Sequence, residues 1–338
     1  MMLPEALEEV SESSTAVAQA VWRGLVATPR SLPPWLFYDA TGSALFEQIT
    51  QLPEYYLTRA ERSIFARDAA AMLQAAAGGR RLTVLELGAG SAAKTGLLLA
   101  AALRQQASVL YQPIDVSPTV LALARQNLEA TLPGVAVEPH LADYSTQPLP
   151  LHRPPDTRAM VLFIGSSIGN FTPQEAVELL ARVRRQLAPG DTLLLGYDLA
   201  PGAASPQKSV ATLVAAYDDA AGVTAAFNRN LLARLNRELG ADFNPAEFAH
   251  VALWNEAESR MEMHLQSTRV QTVRIPASGA GPELVLPWRA GERIHTENSY
   301  KYTRQRLQQL LAAAGFAAVQ TWQDEPLRYF AVTLAAAV

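Results

Sequence analysis

Cysteine is absent from the 338-residue chain, so disulfides, thiolate metal sites and cysteine nucleophiles are all excluded. A surplus of basic residues is lacking too, because 28 lysines and arginines stand against 32 aspartates and glutamates, for a net charge of -4. Nucleic-acid grooves need clustered Lys and Arg to neutralise phosphates, and we therefore expect no nucleic-acid partner. The five histidines show no metal-ligand spacing, and we expect no bound metal.

Long hydrophobic runs are missing as well. The longest strongly apolar stretch, from Leu97 to Leu103, is too short to cross a bilayer. The first residues are acidic and lack the basic region of a signal peptide. We therefore expect a soluble, cytoplasmic monomer with no membrane partner. Since 49% of the residues are hydrophobic, the chain can bury a sizeable core.

Short apolar runs alternate with helical patterns through the middle of the chain. The runs predict strands at residues 82–87, 109–115, 135–141, 159–164 and 192–199. The patterns between them predict helices at 92–105, 117–130 and 173–187. Alternation of this kind builds βαβ units and therefore a parallel sheet.

The alternation stops after the fifth strand. One helical stretch is predicted at 207–239, followed by antiparallel strands at 248–254, 261–268 and 270–275. A helix at 303–314 and strands at 316–322 and 329–335 then complete the chain. We interpret residues 201–290 as an inserted lobe to which residues 1–60 also belong.

A glycine turn follows the first predicted strand. The segment Glu86 to Thr95 contains Gly88 and Gly90, and it leads from a buried strand into a helix. Glycines let the backbone approach a ligand closely, and the helix N-terminus offers free N–H groups. Alone, such a turn is a weak signal, because it also occurs in dinucleotide folds or simply tightens a strand–helix connection. The glycine spacing is not that of a P-loop.

Acidic residues follow the next two strands. Asp115 ends the second strand, where a carboxylate can accept hydrogen bonds from both ribose hydroxyls. Asp143 and Tyr144 follow the third, where they can meet an adenine amino group and stack on its ring. Each acid could instead be a solvated loop residue or a helix cap, as Ser117 and Pro118 beside Asp115 suggest. Together the three strand ends favour an adenosine-containing ligand at the carboxyl edge of the sheet.

Two features favour S-adenosylmethionine over a dinucleotide. An acid near the first glycine turn suits the ammonium group of this cofactor, and the C-terminal helix and two strands suit the antiparallel hairpin of methyltransferase sheets. Nothing indicates a second dinucleotide half. The predicted fold is therefore α/β, a Rossmann-like S-adenosylmethionine methyltransferase sheet with an inserted α+β substrate-binding lobe. The predicted divisions are 1–60 (lobe), 61–200 (cofactor domain), 201–290 (inserted lobe) and 291–338 (completion of the cofactor domain).

Three longer segments carry a family resemblance. They span residues 38–61 (from Tyr-Asp-Ala-Thr-Gly-Ser to Thr-Arg-x-Glu), 165–171 (Gly-Ser-Ser-Ile-Gly-Asn-Phe) and 217–228 (from Tyr-Asp-Asp-Ala to Phe-Asn). Through these segments the chain resembles the histidine-specific methyltransferase family. The resemblance extends from about residue 30 to the C-terminus. The resemblance implies an enzyme that uses S-adenosylmethionine to methylate the α-amino group of L-histidine. Three transfers would give Nα-trimethylhistidine (hercynine) for ergothioneine biosynthesis.

The resemblance also implies the roles of individual residues. Those matching the cofactor contacts of the family are Gly88, Lys94, Asp115, Asp143 and Tyr144. Those matching its substrate contacts are Tyr38 and Tyr217 (carboxylate), Tyr55 and Asn170 (α-amino group), Gly165 (pocket wall), Glu297 and Ser299 (imidazole) and Met263 (apolar neighbour of that ring). Tyr38 and Asn170 are the expected catalytic residues. A tyrosine hydroxyl, an amide oxygen or water could accept the proton that the amine must lose.

Simpler roles exist for several of these residues. Tyr38 and Tyr55 could pack as ordinary half-buried tyrosines, and Asn170 could end a turn. Glu297 could be an exposed carboxylate near Lys301, and Met263 is by default a core residue. Two other functions also stay open: methylation of tryptophan or another amino acid, and a catalytically silent binding module. A carboxylate at Glu297 argues against an indole pocket, and intact cofactor residues argue against the silent module.

Overall fold

The computed structural model describes residues 5–202, 205–278 and 281–338. The chain is divided into two compact units. The sheet unit comprises Tyr56–Val210 and Ser299–Val338, and the lobe unit comprises Met1–Tyr55 and Ala211–Asn298. The first four residues of the predicted division 1–60 lie outside the described residues.

Helices and strands are numbered in chain order. The helices are α1 (Glu5–Val26), α2 (Ala40–Gln51), α3 (Tyr56–Ala77), α4 (Thr95–Leu103), α5 (Pro118–Thr131), α6 (Pro173–Arg185), α7 (Val210–Ala215), α8 (Val223–Leu239) and α9 (Arg304–Ala313). The strands are β1 (Arg81–Leu87), β2 (Val109–Asp115), β3 (Val135–Val137), β4 (His140–Leu141), β5 (Thr157–Phe163), β6 (Thr192–Asp198), β7 (Phe248–Asn255), β8 (Arg260–Ser267), β9 (Gln271–Ile275), β10 (Leu284–Trp288), β11 (Arg293–Tyr300), β12 (Phe316–Gln323) and β13 (Phe330–Ala337).

The sheet unit is built on one twisted sheet with the strand order β12-β13-β6-β5-β1-β2-β3, and β4 also pairs with β2. Strands β1, β2, β3, β5 and β6 run parallel, whereas β13 runs antiparallel to β6 and to β12. The predicted Rossmann-like parallel sheet with a C-terminal antiparallel hairpin is thereby confirmed. The strand order reverses beside β1, so the carboxyl ends of β1, β2 and β5 surround the place where such sheets bind ligands.

Both faces of the central strands are buried, which is why their sequences are apolar runs rather than alternating patterns. On one face, side chains such as Leu85, Val161 and Leu195 pack in a core with α6 and α9. Their neighbours Val84 and Leu194, on the opposite face, are equally buried. The sheet is therefore a rigid support for the loops at its carboxyl edge.

Two predicted elements of the sheet unit have different bounds. The strand predicted at 135–141 is two short strands, because Pro139 between them has no N–H to continue the ladder with β2. The helix predicted at 92–105 begins only at Thr95. Ala92 has a left-handed backbone with φ of 52°, which a helix cannot contain, so the glycine turn is longer than its sequence indicates.

The lobe unit combines helices with a small antiparallel sheet of order β11-β8-β7 and a separate β9–β10 pair. The helical stretch predicted at 207–239 is divided into the two helices α7 and α8. Gly222 has φ of 73° and Asp219 accepts hydrogen bonds from the N–H groups of Val223 and Thr224, so α8 starts anew after α7. Strands β10 and β11 were not predicted. β10 contains Pro287, and a proline argues against a strand when only the sequence is considered. The proline is tolerated because β10 is an edge strand.

Candidate active site

The glycine turn after β1 brings the backbone close to an aromatic ring. Gly88 and Gly90 have φ of 68° and 52°, a conformation that favours glycine. The N–H groups of Gly88 and Ala89 donate to the Ile114 carbonyl on β2 at 2.9 and 3.2 Å. A Cβ on Gly88 would lie 3.5 Å from the Tyr144 ring, so glycine keeps the space between turn and ring open.

Asp115 ties the glycine turn to the start of the next helix. Its carboxylate accepts hydrogen bonds from the Gly90 N–H at 3.1 Å and the Ser117 N–H at 3.0 Å. The N-cap of α5 is Ser117, as the sequence suggested, and not Asp115. Burial raises the pKa of Asp115. A carboxylate has lone pairs for further donors, so Asp115 keeps acceptor capacity toward a ligand at the edge of the sheet.

Asp143 and Tyr144 follow β4 at the same edge. The Asp143 carboxylate accepts from the Ser145 N–H at 2.8 Å and from the Thr146 hydroxyl at 3.1 Å, which orders its own turn. The half-buried Tyr144 ring packs edge-on against Phe163 with centroids 5.8 Å apart. The structure thus brings Gly88, Asp115 and Tyr144 together, and the ring is fixed by packing rather than free in a loop.

Lys94 is held by a residue that sequence reasoning passed over. Its ammonium pairs with Glu61, a fully buried carboxylate on α3. Glu61 also accepts from the Gly165 N–H at 2.8 and 3.0 Å. A Cβ on Gly196 would lie 2.1 Å from a Glu61 oxygen, so only glycine leaves room for this carboxylate. The available signal was the Thr-Arg-x-Glu segment, in which the glutamate is the fourth residue.

Glu86, the acid nearest the glycine turn, is sealed inside the sheet unit. Its carboxylate accepts from the Tyr111 hydroxyl and from the Thr95 hydroxyl at 2.8 Å, and its residue is 1% exposed. Burial raises its pKa to about 7. The expectation that an acid at this turn serves the cofactor's ammonium is therefore wrong for Glu86, because its oxygens face inward to α4 and β2.

The loop after β5 carries the predicted Gly165 and Asn170. Gly165 and Ser166 both have left-handed backbones, with φ of 76° and 62°, and Ser166 is a strained position for a residue with a side chain. A short 3-10 helix then ends at Asn170. A Cβ on Gly169 would lie 2.8 Å from the Tyr300 carbonyl oxygen, so this loop packs closely on the segment that contains Ser299.

In the lobe unit, the three predicted tyrosines join one aromatic cluster. Tyr38 contacts Phe46 and Phe227 with ring centroids 5.8 and 6.0 Å apart. Phe46 contacts Tyr55 at 6.3 Å, and Tyr55 contacts Tyr217 at 6.4 Å. Tyr55 and Tyr217 are buried, and Tyr38 is half-buried. Residues far apart in sequence thus bring three phenol rings into one cluster, in which Phe46 lies between Tyr38 and Tyr55.

A histidine that was not predicted fixes the backbone of Tyr217. The Asn228 amide donates to His250 Nδ1 at 2.8 Å, so His250 Nε2 carries the proton that it donates to the Tyr217 carbonyl, also at 2.8 Å. Burial lowers the pKa of His250, which keeps the ring neutral. Asn228 belongs to the 217–228 segment, but only the fold brings it to His250.

Met263 and Glu297 lie on strands that pair with each other. Met263 is buried on β8, and Glu297 is half-buried on β11. The hydroxyl of Thr296, the residue before Glu297, donates to the Met263 carbonyl at 3.0 Å. Ser299 lies two residues beyond Glu297 on the same strand. Met263 and Glu297 therefore belong to one strand pair, of which β8 was predicted from the sequence and β11 was not.

The chain is similar in sequence to a known family and to several named proteins. Residues 17–337 match the model of a family described as histidine-specific, SAM-dependent methyltransferases. The histidine N-alpha-methyltransferase of Mycolicibacterium smegmatis is 43% identical over 324 residues, which cover 96% of this chain and 95% of the relative. Ergothioneine biosynthesis protein 1 of Neurospora crassa is 30% identical over 87% of this chain and 32% of its own length. An L-tryptophan methyltransferase of Psilocybe serbica is 27% identical, covering 96% and 94%.

The part of the chain that the structure describes contains neither a metal-binding group of side chains nor a membrane-spanning helix. No group of three or more His, Asp or Glu side chains among these residues could hold a metal ion. None of the helices in the described ranges is long and apolar enough to cross a membrane.

Proposed function

The chain belongs to the histidine-specific, S-adenosylmethionine-dependent methyltransferase family, and we propose that it methylates the α-amino group of free L-histidine. Three successive transfers would yield Nα-trimethylhistidine for ergothioneine biosynthesis. The observation that carries the proposal is the 43% identity with a histidine N-alpha-methyltransferase over 96% of the chain. Identity spread over nearly the whole length includes both units, not the cofactor-binding sheet alone.

The cofactor is S-adenosylmethionine, and the chemistry of the residues at the sheet edge suits it. We propose that Asp115 accepts the ribose hydroxyls, and that Asp143 and Tyr144 bind the adenine. Because Gly88 has no side chain, its backbone could be approached by the ligand beside the Tyr144 ring. Lys94 is the only positively charged residue among the five predicted cofactor contacts, and it would bind a negative group of the cofactor. Glu61 would hold the Lys94 ammonium in place.

We propose separate substrate roles for the predicted residues of each unit. In the lobe unit, the hydroxyls of Tyr38 and Tyr217 would donate to the substrate carboxylate, and Tyr55 would meet the α-amino group. Glu297 would accept from an imidazole N–H, with Met263 as its apolar neighbour. In the sheet unit, Asn170 and Gly165 would lie at the amine, and Ser299 would meet the second imidazole nitrogen.

Methyl transfer from a sulfonium is an in-line displacement in which the nitrogen lone pair attacks the methyl carbon. When bound, S-adenosylmethionine supplies the electrophilic methyl group. The work of the protein is to hold a neutral amine on the line of attack, which is a positioning effect. Histidine's α-ammonium must first lose a proton, and Tyr38, Asn170 or water are candidates for its acceptor. Aromatic faces such as those of the tyrosine cluster stabilise the quaternary ammonium that three transfers produce.

Methylation of tryptophan is the second candidate, because a relative that spans nearly the whole chain bears that name. Glu297 and Ser299 favour histidine, since an imidazole has two ring nitrogens for this polar pair to bind, whereas an indole has one. A monomeric state and a cytoplasmic location stay predictions from sequence.

The purified protein incubated with S-adenosylmethionine and each proteinogenic amino acid in turn tests the proposal. Mass spectrometry should detect methylation of histidine, with up to three added methyl groups, and little or none of tryptophan. Preferred methylation of another amino acid would replace the substrate assignment. No methylation together with no calorimetric binding of S-adenosylmethionine would support the silent-module alternative.

A further inference from the structure

The carboxylate of Glu61 is the buried half of a charge pair in the sheet unit. Its side chain on α3 is inaccessible to solvent, whereas the side chain of its partner Lys94 is 23% exposed. The Glu61 oxygens also accept from the Gly165 N–H, at 2.8 and 3.0 Å. Burying a carboxylate is costly unless a cation and hydrogen-bond donors offset the lost hydration, and these two residues supply them. Of the pair, only the lysine can meet a ligand.

Two glycines limit the space around this pair. A Cβ on Gly196 of β6 would lie 2.1 Å from a Glu61 oxygen, and a Cβ on Gly165 would lie 3.2 Å from the Lys94 Nζ. The carboxylate is therefore confined against β6, and it holds the ammonium at the start of the loop after β5. An unpaired lysine samples many rotamers of its flexible four-carbon stem, so this contact replaces many positions by one.

The charges of the cofactor limit what Lys94 can bind. S-adenosylmethionine carries one negative group, the carboxylate of its methionine part, together with a positive sulfonium and a positive ammonium. A loosely held lysine would also approach these two cations, which repel it. A lysine that is already fixed can donate to the carboxylate without losing further rotamer freedom when the cofactor binds.

We infer that Glu61 is a positioning residue that makes the cofactor site selective for this carboxylate, by fixing the Lys94 ammonium in place. The inference rests on the proposed role of Lys94 as a cofactor contact and deepens it. As a nearby negative charge, Glu61 would weaken the attraction of Lys94 for an anion, whereas as an anchor it strengthens the bond. We expect the anchoring effect to prevail, because Lys94 is partly exposed and water screens the repulsion between the two carboxylates.

Three substitutions separate these effects. Glu61→Gln keeps an oxygen that accepts from the Gly165 N–H but lacks the charge that holds Lys94. Glu61→Asp keeps the charge but is one bond shorter, so it cannot span both partners, and it repeats the test if the glutamine variant does not fold. Lys94→Met removes the ammonium, alone and together with Glu61→Gln. The double variant leaves no unpaired carboxylate buried.

The control is Asp191→Asn, which neutralises a comparable carboxylate. The Asp191 side chain is 1% exposed and pairs with Arg153, whose side chain is 30% exposed. It also accepts from the N–H groups of Ala159 and Ala188, at 2.9 and 2.8 Å. Asp191 directly precedes β6, so it lies at the amino end of the parallel strands, the edge of the sheet opposite to the cofactor site.

The test measures by calorimetry the dissociation constants of S-adenosylhomocysteine and of S-adenosyl-3-thiopropylamine, which lacks only the carboxylate. Their ratio is the carboxylate preference, which we expect to be about tenfold or more in the parent. Glu61→Gln and Glu61→Asp should each lower it about fivefold, and Lys94→Met should abolish it. In the Lys94→Met background, Glu61→Gln should no longer lower it. Asp191→Asn should leave it unchanged. Retained affinity for the probe without a carboxylate reports that each variant is folded.

Two results would overturn the role of Glu61. One is a carboxylate preference that is unchanged or greater in Glu61→Gln, which would mean that Glu61 is only a counter-charge of Lys94. The other is an equal fall in Asp191→Asn, which would trace the effect to the loss of any buried ion pair. A preference that survives Lys94→Met would contradict the proposed role of Lys94 and the inference with it. A parent protein that does not methylate histidine would instead contradict the proposed substrate, so these failures are distinguishable.

Discussion

At the scale of single residues, Asp115 gives the most direct test of the cofactor site. We expect Asp115→Ala to weaken S-adenosylmethionine binding by roughly 1.5–3 kcal/mol, because charge-assisted hydrogen bonds to the ribose are lost. Isothermal calorimetry on the folded variant measures this directly. The alanine also releases the Gly90 and Ser117 N–H groups, so Asp115→Asn, which keeps one acceptor oxygen, serves as the control. Unchanged affinity in the alanine variant would contradict the assignment.

Tyr38 and Tyr217 test how the substrate carboxylate is bound. Tyr38→Phe and Tyr217→Phe should each raise KM for histidine about tenfold, because each removes a hydroxyl donor to a charged group and keeps the ring packing. Histidine methyl ester should also be a poor substrate. Tyr197→Phe, whose hydroxyl faces Thr333 within the sheet core, is the control and should leave KM unchanged. An ester that reacts as well as histidine would disprove the carboxylate role of both tyrosines.

Glu297 should decide which aromatic ring is accepted. In Glu297→Ala, histidine loses a charge-assisted hydrogen bond, worth about ten- to a hundredfold in specificity. The penalty for placing a largely apolar ring beside this half-buried carboxylate disappears at the same time. We therefore expect activity on histidine to fall and activity on tryptophan or phenylalanine to appear. Catalytic efficiencies for the three amino acids in parent and variant measure this. An unchanged preference for histidine would mean that another residue reads the imidazole.

The residues that sequence reasoning missed share one physical feature. Glu61 lies within α3 and His250 within β7, so neither follows a strand end or a glycine turn. Each acts on a predicted residue through a contact that the tertiary fold creates: Glu61 on Lys94 and His250 on Tyr217. By contrast, Asp115 and Tyr144 were predictable, because parallel strands bring their carboxyl ends to one edge.

At the scale of helices and strands, the strands that are buried on both faces were the ones predicted best from the sequence. The central strands of the sheet unit are largely apolar, and their bounds were predicted to within about two residues, the usual precision of such boundaries. Strand β11 was missed because its sequence, Arg-Ile-His-Thr-Glu-Asn-Ser-Tyr, is mostly polar. The strand that carries the imidazole residues therefore lacks the hydrophobic pattern by which strands are recognised.

Glu86 lies on β1 and accepts hydrogen bonds from β2 and α4, and it should make the free energy of unfolding depend on pH. Burial raises the pKa of this carboxyl from 4.5 to about 7. The folded state therefore binds a proton more tightly than the unfolded state. Its stabilising contribution is complete below pH 4.5 and is lost as pH rises to 7, about 3 kcal/mol in all.

Glu86→Gln should remove this dependence, because the amide oxygen still accepts from Tyr111 and Thr95 without acquiring a charge. Urea unfolding at pH 5 and pH 8 compares the variant with the parent. The variant should gain stability relative to the parent between the two values. Parallel pH dependences of the two proteins would show that Glu86 does not titrate in this range.

At the scale of the whole molecule, the chain passes between the two units three times. The lobe unit is formed by two segments, Met1–Tyr55 and Ala211–Asn298, which are joined through Tyr56–Val210 of the sheet unit. While the sheet unit is folded, it fixes the ends of this connection. Once it unfolds, the lobe must close a flexible loop of about 155 residues, at an entropic cost of about 4 kcal/mol. That cost is comparable to the whole stability of many domains, which is typically about 5–15 kcal/mol.

We therefore expect the protein to unfold in a single calorimetric transition, although it contains two units. S-adenosylhomocysteine at about a hundredfold excess over its Kd should stabilise the folded protein by about 2.7 kcal/mol and raise the temperature of the entire transition. Calorimetric and van't Hoff enthalpies should agree with and without the ligand, since neither unit persists alone. Two separate transitions, of which the ligand shifts only one, would show instead that the lobe bears the closure cost and stays folded after the sheet unit has melted.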